Sequence, residues 1–244
     1  MSFKLQSWNA VAPGLESKAQ WRSWLERPFP LSSDLHKVSL TQVSPILRRR
    51  FTELGRCAAS AALPLLENID AVPGVFASRH GDTPLTLSLL EGIAEDQPMS
   101  PTGFSLAVHN AVAGLLSIAR KDVSEATSIA ATENLIPLAL LEAVTRLQEH
   151  EQVLCIIYDV PLPELYRPYA ESESYPFALA MRLSRREGVD MVLEHGLHHQ
   201  LQSEEASDLL RVMRLLCDLD GTANFRSGSG VGWSLRRKAD AREN

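Results

Sequence analysis

A chain of 244 residues, 45% of them hydrophobic, carries enough apolar material for a full globular core. With 24 Lys and Arg against 30 Asp and Glu, its net charge of -6 offers no positive field for nucleic acid, so neither DNA nor RNA is expected as a partner. No apolar run approaches the roughly 18 residues that span a bilayer, and Met1-Ser-Phe-Lys-Leu-Gln lacks the apolar stretch of a signal peptide, which points to a cytoplasmic protein with no membrane span.

Phe3 to Val11 alternates weakly and reads as a first strand, closed by the Pro13-Gly14 turn. Glu16 to Glu26 sets Trp21, Trp24 and Leu25 at helical spacing, a pattern of packing against a sheet rather than of base stacking. Residues 27 to 43 read as loop. Ser44-Pro45 then opens a helix, with Ser as cap and Pro at the first helical position. Its apolar face predicts one long buried helix to Leu66. Arg48, Arg49 and Arg50 near its start are either a solvated face or a patch of forked donors for an acidic protein or a phosphate.

Ala71 to Ser78 reads as a short strand, with Arg79-His80-Gly81-Asp82 as its exit turn and a helix from Thr83 to Glu95. From Met99 to Ala119 small residues crowd a helical pattern, which suits close approach to another helix or to a partner chain. His109 and Asn110 lie there, and His80 and His109 both read as structural in the first instance. Ala126 to Ala131 is β-capable and runs into an apolar-periodic helix, Asn134 to Leu147, followed by a strand at Val153 to Tyr158. The turn between them sits at a helix N-terminus, where unpaired N–H groups and the helix dipole favour negative charge and lower a thiol pKa. Glu133 occupies it.

After Asp159 a proline-stiffened connection leads to a strand at Phe177 to Leu183. Little follows except an amphipathic helix, Ser203 to Leu219, and a Gly-, Ser- and charge-rich tail from Gly221, mobile or tied down only around Trp233. Cys57, Cys155 and Cys217 are odd in number and without a C-x-x-C, so they read as core residues, not a disulfide framework or a zinc site. His195, His198 and His199 have the i, i+3 and i, i+4 spacing of metal ligands, but no acidic ligand accompanies them and no metal or other cofactor is expected. Gly228-Ser-Gly-Val-Gly232 is flanked by neither the strand nor the helix of a phosphate loop.

The run from Asn110 through Ala-Val-Ala-Gly114, Thr127-Ser-Ile-Ala-Ala-Thr-Glu133, the next helix and Val153 to Tyr158 resembles the N-terminal half of β-ketoacyl-acyl carrier protein synthases, which have the thiolase fold. In those enzymes an Asn-x-x-Ala-Gly helix leads to a strand reading roughly Ser-Ile-Ala-Thr-Ala-Cys, and the patterns align without a gap from Asn110 to Ala143. Trp8 to Leu15 and Leu47 to Gly55 also look like a ketosynthase-like subfamily found in aryl polyene clusters. The resemblance implies an α/β protein with a truncated, N-terminal-half thiolase-like fold: a mixed sheet flanked by helices, with a C-terminal helix. It divides the chain into a ketosynthase-like domain at 1–185 and, at 186–244, a helix and flexible tail packed on that same domain.

Glu133 stands where the family has its nucleophilic Cys, and the sequence stops where the half bearing the active-site histidines would begin. A carboxylate is a poor nucleophile toward a thioester, so the resemblance implies a catalytically silent subunit, similar to a chain-length factor, paired with a full-length ketosynthase and served by an acyl carrier protein. It implies that Ala126, Thr127, Ser128, Ile129, Ala130 and Ala131 form the edge strand at the partner interface, with Asn110 and Gly114 beside it. Thr102, Gly103, Phe104 and His109 would set the length of the partner's acyl tunnel, and Arg48, Arg49 and Arg50 would dock the carrier protein. Glu133 is then either a plug in a vestigial pocket or a mimic of an acylated or carboxylated state that takes part in decarboxylation. Two rival readings remain: a free-standing acyl-transfer enzyme using Glu133, or His109, His80 or Asp159 as acid or base, and a non-enzymatic carrier-protein docking module.

Overall fold

The structure is a computed structural model, and it describes residues 1–35, 38, 40–197, 207–225 and 231–238. Its framework is one mixed sheet of eight strands. In chain order these are β1 (Ser2–Val11), β2 (Gly74–Ala77), β3 (Ala126–Ile129), β4 (Gln152–Asp159), β5 (Phe177–Ser184), β6 (Val189–Leu197), β7 (Thr222–Phe225) and β8 (Val231–Arg237). In space the order is β3-β2-β4-β5-β1-β6-β8-β7. β2, β3 and β4 run parallel, and every other pairing is antiparallel.

The centre of the sheet is covered on both faces. β4 sends Val153, Cys155 and Ile157 to one side and Leu154, Ile156 and Tyr158 to the other, all buried, the near-continuous apolar run of a doubly covered strand. On the first side lie helices α1 (Lys18–Glu26), α7 (Leu135–Arg146) and α8 (Asp208–Leu216); on the second, α3 (Glu53–Ala62) and α6 (Ala111–Arg120). β1 serves both cores because an irregularity between Leu5 and Ser7 shifts its register against β5. Phe3, Leu5, Ala10 and Ala12 therefore reach the first core, while Val11 reaches the second. Trp21 of α1 is fully buried and donates from Nε1 to Ala10 O at 2.9 Å, so the tryptophans do pack on the sheet.

The helix expected from Pro45 to Leu66 is broken into three pieces: α2 (Pro45–Arg48), α3, and a 3-10 turn at Leu63–Leu66. Thr52 causes the first break, since its Oγ1 accepts from Gly55 N and starts α3 afresh. Pro64, at the start of the 3-10 turn, accompanies the second. The run of small residues from Met99 is likewise two helices, α5 (Pro101–Ala107) and α6, meeting at 103°. The C-terminal region differs most from expectation. Val189–Leu197, Thr222–Phe225 and Val231–Arg237 are all strands of the main sheet, where the sequence suggested little structure and a loose tail. α8 begins at Asp208, capped by Ser207 Oγ; the part of the expected helix before it lies outside the described residues.

Candidate functional site

β3 is an edge strand: among the described residues it pairs only with β2. Gly74 N donates to Glu125 O and Ser78 N to Ile129 O, so the backbone groups of Glu125, Thr127 and Ile129 face β2. Alternation then turns the N–H and C=O of Ala126 and Ser128 outward. The strand ends at Ile129, so Ala130 and Ala131 of the expected run lead into the turn. Beside the edge, the crossover from β2 to β3 is built of α4 (Thr83–Ala94), α5 and α6. α4 and α5 contain no buried residue although both are mostly apolar. Leu90, Ile93, Phe104, Val108, Ile118 and Val123 are all exposed, Val123 to 95%. A Cβ built on Gly114 of α6 would meet nothing within 4 Å, so no neighbour inside the chain requires a glycine there. Asn110, at the start of α6, is exposed.

Of the four residues expected at a tunnel, Thr102 and Phe104 are exposed, while a Cβ added at the half-buried Gly103 would stand 3.3 Å from Leu89 Cδ2. His109 is half-buried, with Nε2 at 2.8 Å from Ile129 O. Arg49 and Arg50 are exposed at the tip after α2, next to Ile46, whereas Arg48 turns back and donates from Nη2 to Val43 O.

The parallel strands β2, β3 and β4 all end at one rim of the sheet, above which lies an open cleft of about 1470 Å³. Ligands of open α/β sheets bind at the carboxyl ends of such strands. The walls include Thr132, Glu133 and Asn134 from the turn before α7, Asp159 from β4, Tyr169 and Glu173 from the segment joining β4 to β5, and Asp208 of α8. Glu133 is exposed on this rim. Asn134 follows in a left-handed conformation (φ 56°), 7% exposed, with no hydrogen-bond partner for Oδ1. α7 therefore starts at Leu135, and no acidic residue lies in its first turn.

Asp159, as buried as Asn134, lies at the end of β4 in the cleft. Its carboxylate accepts from Ser78 Oγ at 2.7 Å, from Arg79 N at 3.1 Å and from His80 N at 3.4 Å. Burial pushes it above the usual carboxylate range, against these hydrogen bonds and the nearby His80. Its oxygens hold the Ser78–Gly81 turn, and His80 Nε2 is engaged with Glu171 O at 3.0 Å. Burial also raises Glu173 and Asp208, both of which Arg79 offsets in part. No cysteine lines the cleft; Cys57, Cys155 and Cys217 are buried elsewhere.

One cluster escaped the sequence reading because its members are far apart in the chain. Glu125, Glu149 and His150 bring ligand atoms together at the surface, but Arg146 already lies on Glu125 at 2.5 Å. The hydrogen bonds of Arg146 and His150 hold that carboxyl below its usual range. A metal would have to displace the guanidinium. His195 packs against the Trp233 ring at 4.5 Å, and His198 and His199 lie outside the described residues.

No curated protein matches the chain in sequence. Solved structures do resemble it. A chain of the complex of a ketosynthase (ApeO) with its chain length factor (ApeC) from Xenorhabdus doucetiae superposes with a TM-score of 0.82 at 24% identity, covering 97% of this chain and 100% of that one. A chain of the ishigamide ketosynthase/chain length factor gives 0.65 at 13% identity, over 91% and 75%. A third, from a type II polyketide synthase acyl-carrier protein in complex with its ketosynthase, gives 0.60 at 13%, over 81% and 69%. At these identities the likeness shows a shared fold, the N-terminal-half ketosynthase arrangement. The sequence model of the β-ketoacyl synthase N-terminal domain matches residues 21–224. The chain belongs to the β-ketoacyl synthase N-terminal domain family.

Proposed function

We propose that this chain is a chain-length-factor-like subunit, without condensing activity of its own, that pairs with a full-length ketosynthase in fatty acid or polyketide chain elongation of the aryl polyene type. The observation that carries the reading is the bare edge of β3 beside exposed apolar side chains. An open strand edge is a liability in an isolated protein, and Val123, three residues before the strand, adds exposed apolar surface that gains by burial. Gly114, open on its outer side, permits the close backbone approach of another chain. Ala126 to Ala131, with Asn110 and Gly114, form the interface in this reading.

The cleft chemistry supports silence in condensation. The turn before α7 offers Glu133 in place of a thiol, and the three cysteines are buried elsewhere. Thr102, Gly103 and Phe104 on α5, with His109 at the bend before α6, shape the partner's acyl tunnel, and Phe104 is the bulkiest exposed member. Arg49 and Arg50, with Ile46, are the accessible part of a carrier-protein docking patch, and Arg48 supports it from below. The described residues of 186–244 belong with 1–185 to one domain in this reading. An elongation assay with purified ketosynthase and carrier protein tests the whole reading: the chain alone makes no product, and adding it to the ketosynthase fixes product length. Product from the chain alone would overturn the silent reading. Glu133→Ala separates plug from acyl mimic, since unchanged complex formation and turnover leave only the plug.

A further inference from the structure

The carbonyl that ends the edge strand is held from two sides. Ile129 O accepts from Ser78 N at 3.1 Å and faces His109 Nε2 at 2.8 Å. A carbonyl oxygen can only accept, so Nε2 carries the proton, and in the neutral ring Nδ1 is an acceptor. Nδ1 is turned toward Gly81: a Cβ there would stand 3.3 Å from it, and Gly81 has φ +63°. The next residue, Asp82, is 9% exposed; its Oδ1 accepts from Leu85 N and caps α4, whereas Oδ2 is buried with no hydrogen-bond partner. Gly81, Asp82 and His109 line one small cavity of about 10 Å³, close to the space of one water-sized sphere. A molecule with two donors suits two acceptors beside such a space, and a buried acceptor such as Asp82 Oδ2 is rarely left unmet.

We propose that one bound water bridges Asp82 Oδ2 and His109 Nδ1, fixing His109 in the Nε2–H form and making it a positioning residue for the partner-binding strand. His109 lies at the bend between α5 and α6, so the same ring ties the exposed helical arm to the end of β3. Only four residues make up β3, and a lost anchor at Ile129 changes how Ala126 and Ser128 are presented. This inference rests on the pairing reading above. It assigns His109 to strand presentation in addition to any contact with the acyl tunnel.

The test uses the full chain labelled with 15N-histidine and a full-length ketosynthase from the same organism. Long-range 1H–15N spectra are expected to show the His109 Nε2–H tautomer, a signal absent from His109→Gln. Asp82→Asn, which still caps α4 and can donate to the bridging water, whose own proton then goes to Nδ1, keeps that tautomer. His109→Phe weakens ketosynthase binding about tenfold, the order of one lost hydrogen bond, and speeds exchange at the Ser78 amide by a similar factor; His109→Gln, which restores a donor, stays within about threefold of wild type. An Nδ1–H tautomer, or a His109→Phe variant with unchanged binding and exchange, overturns the proposal. If the wild-type chain binds no ketosynthase, the pairing reading fails by itself, and the tautomer with Ser78 exchange still decides whether His109 holds the strand end.

Discussion

Ser128→Pro removes a backbone N–H from the outer side of β3, whereas Thr127→Pro removes one from the side that bonds β2. The parity follows from the Glu125 and Ile129 carbonyls, which both accept from the β2 side. Proline is tolerated on the open side of an edge strand, so Ser128→Pro is expected to leave the isolated chain within about 2 °C of the wild-type Tm. Against a partner strand its ring blocks the ladder on both sides. About three hydrogen bonds are lost, near 1 kcal/mol each, which makes ~3 kcal/mol or a roughly 100-fold weaker complex. Thr127→Pro should do the reverse. It costs the folded chain about 3 kcal/mol, or roughly 6 to 12 °C in Tm for a domain of this size. Calorimetry of the isolated chain and titration against the ketosynthase separate the two quantities. Equal behaviour of the two variants, or an Ser128→Pro chain that binds like wild type, would refute the edge assignment.

Asp122 anchors the entry to β2: its carboxylate accepts from Val72 N at 3.1 Å and Ser124 N at 3.0 Å and lies 3.5 Å from Arg120 Nη2, which donates to Ile69 O while Arg120 Nη1 donates to Leu66 O. Burial alone would raise this carboxyl, but the Ser124 and Val72 hydrogen bonds and the Arg120 charge outweigh it and hold it below the usual range. A depressed carboxylate stabilises the fold above its unfolded pKa of about 4 and loses that contribution as pH falls through the folded value. Asp122→Asn should therefore cost about 2 kcal/mol at pH 7 and progressively less as pH falls below about 4 toward the folded value, measured by urea unfolding; a cost that does not fall with pH contradicts this. Burial pushes the Cys155 thiol up to about 12 and the Cys217 thiol to about 11, and raises Cys57 as well. All three should resist iodoacetamide at pH 8 until the chain is unfolded, and mass spectrometry that finds one alkylated in the native state removes the core reading for that residue. Phe104→Ala is expected to lengthen the product of the ketosynthase pair; unchanged length across substitutions at Thr102, Gly103, Phe104 and His109 would end the gating idea.

The central unit was legible because its signals are local. The apolar runs of β4 and α7 and the paired tryptophans of α1 each announce their burial through periodicity, and the residues around Asn110 and Glu133 carried the family pattern. The break at Thr52 was hidden because its hydroxyl caps α3 within an otherwise helical apolar pattern. β6, β7 and β8 were hidden for a different reason. One face of these strands is polar, with Glu194 and Arg236 paired across it, and β7 is four residues long, so alternation is weak and only their pairing in space, β6 on β1 and then β8 and β7 in turn, reveals them. At the site, the edge position of β3 depends on spatial strand order, which periodicity does not encode. The Asp82–His109 cavity likewise brings together residues 27 positions apart, one of them placed by the left-handed turn at Gly81.

Pairing is the claim on which the rest depends, and co-expression of this chain with a full-length ketosynthase from the same organism, followed by sedimentation analysis, tests it most directly. A stable complex containing both chains is expected, lost on Ser128→Pro while the variant chain remains folded. A well-behaved monomer that associates with no ketosynthase would contradict it.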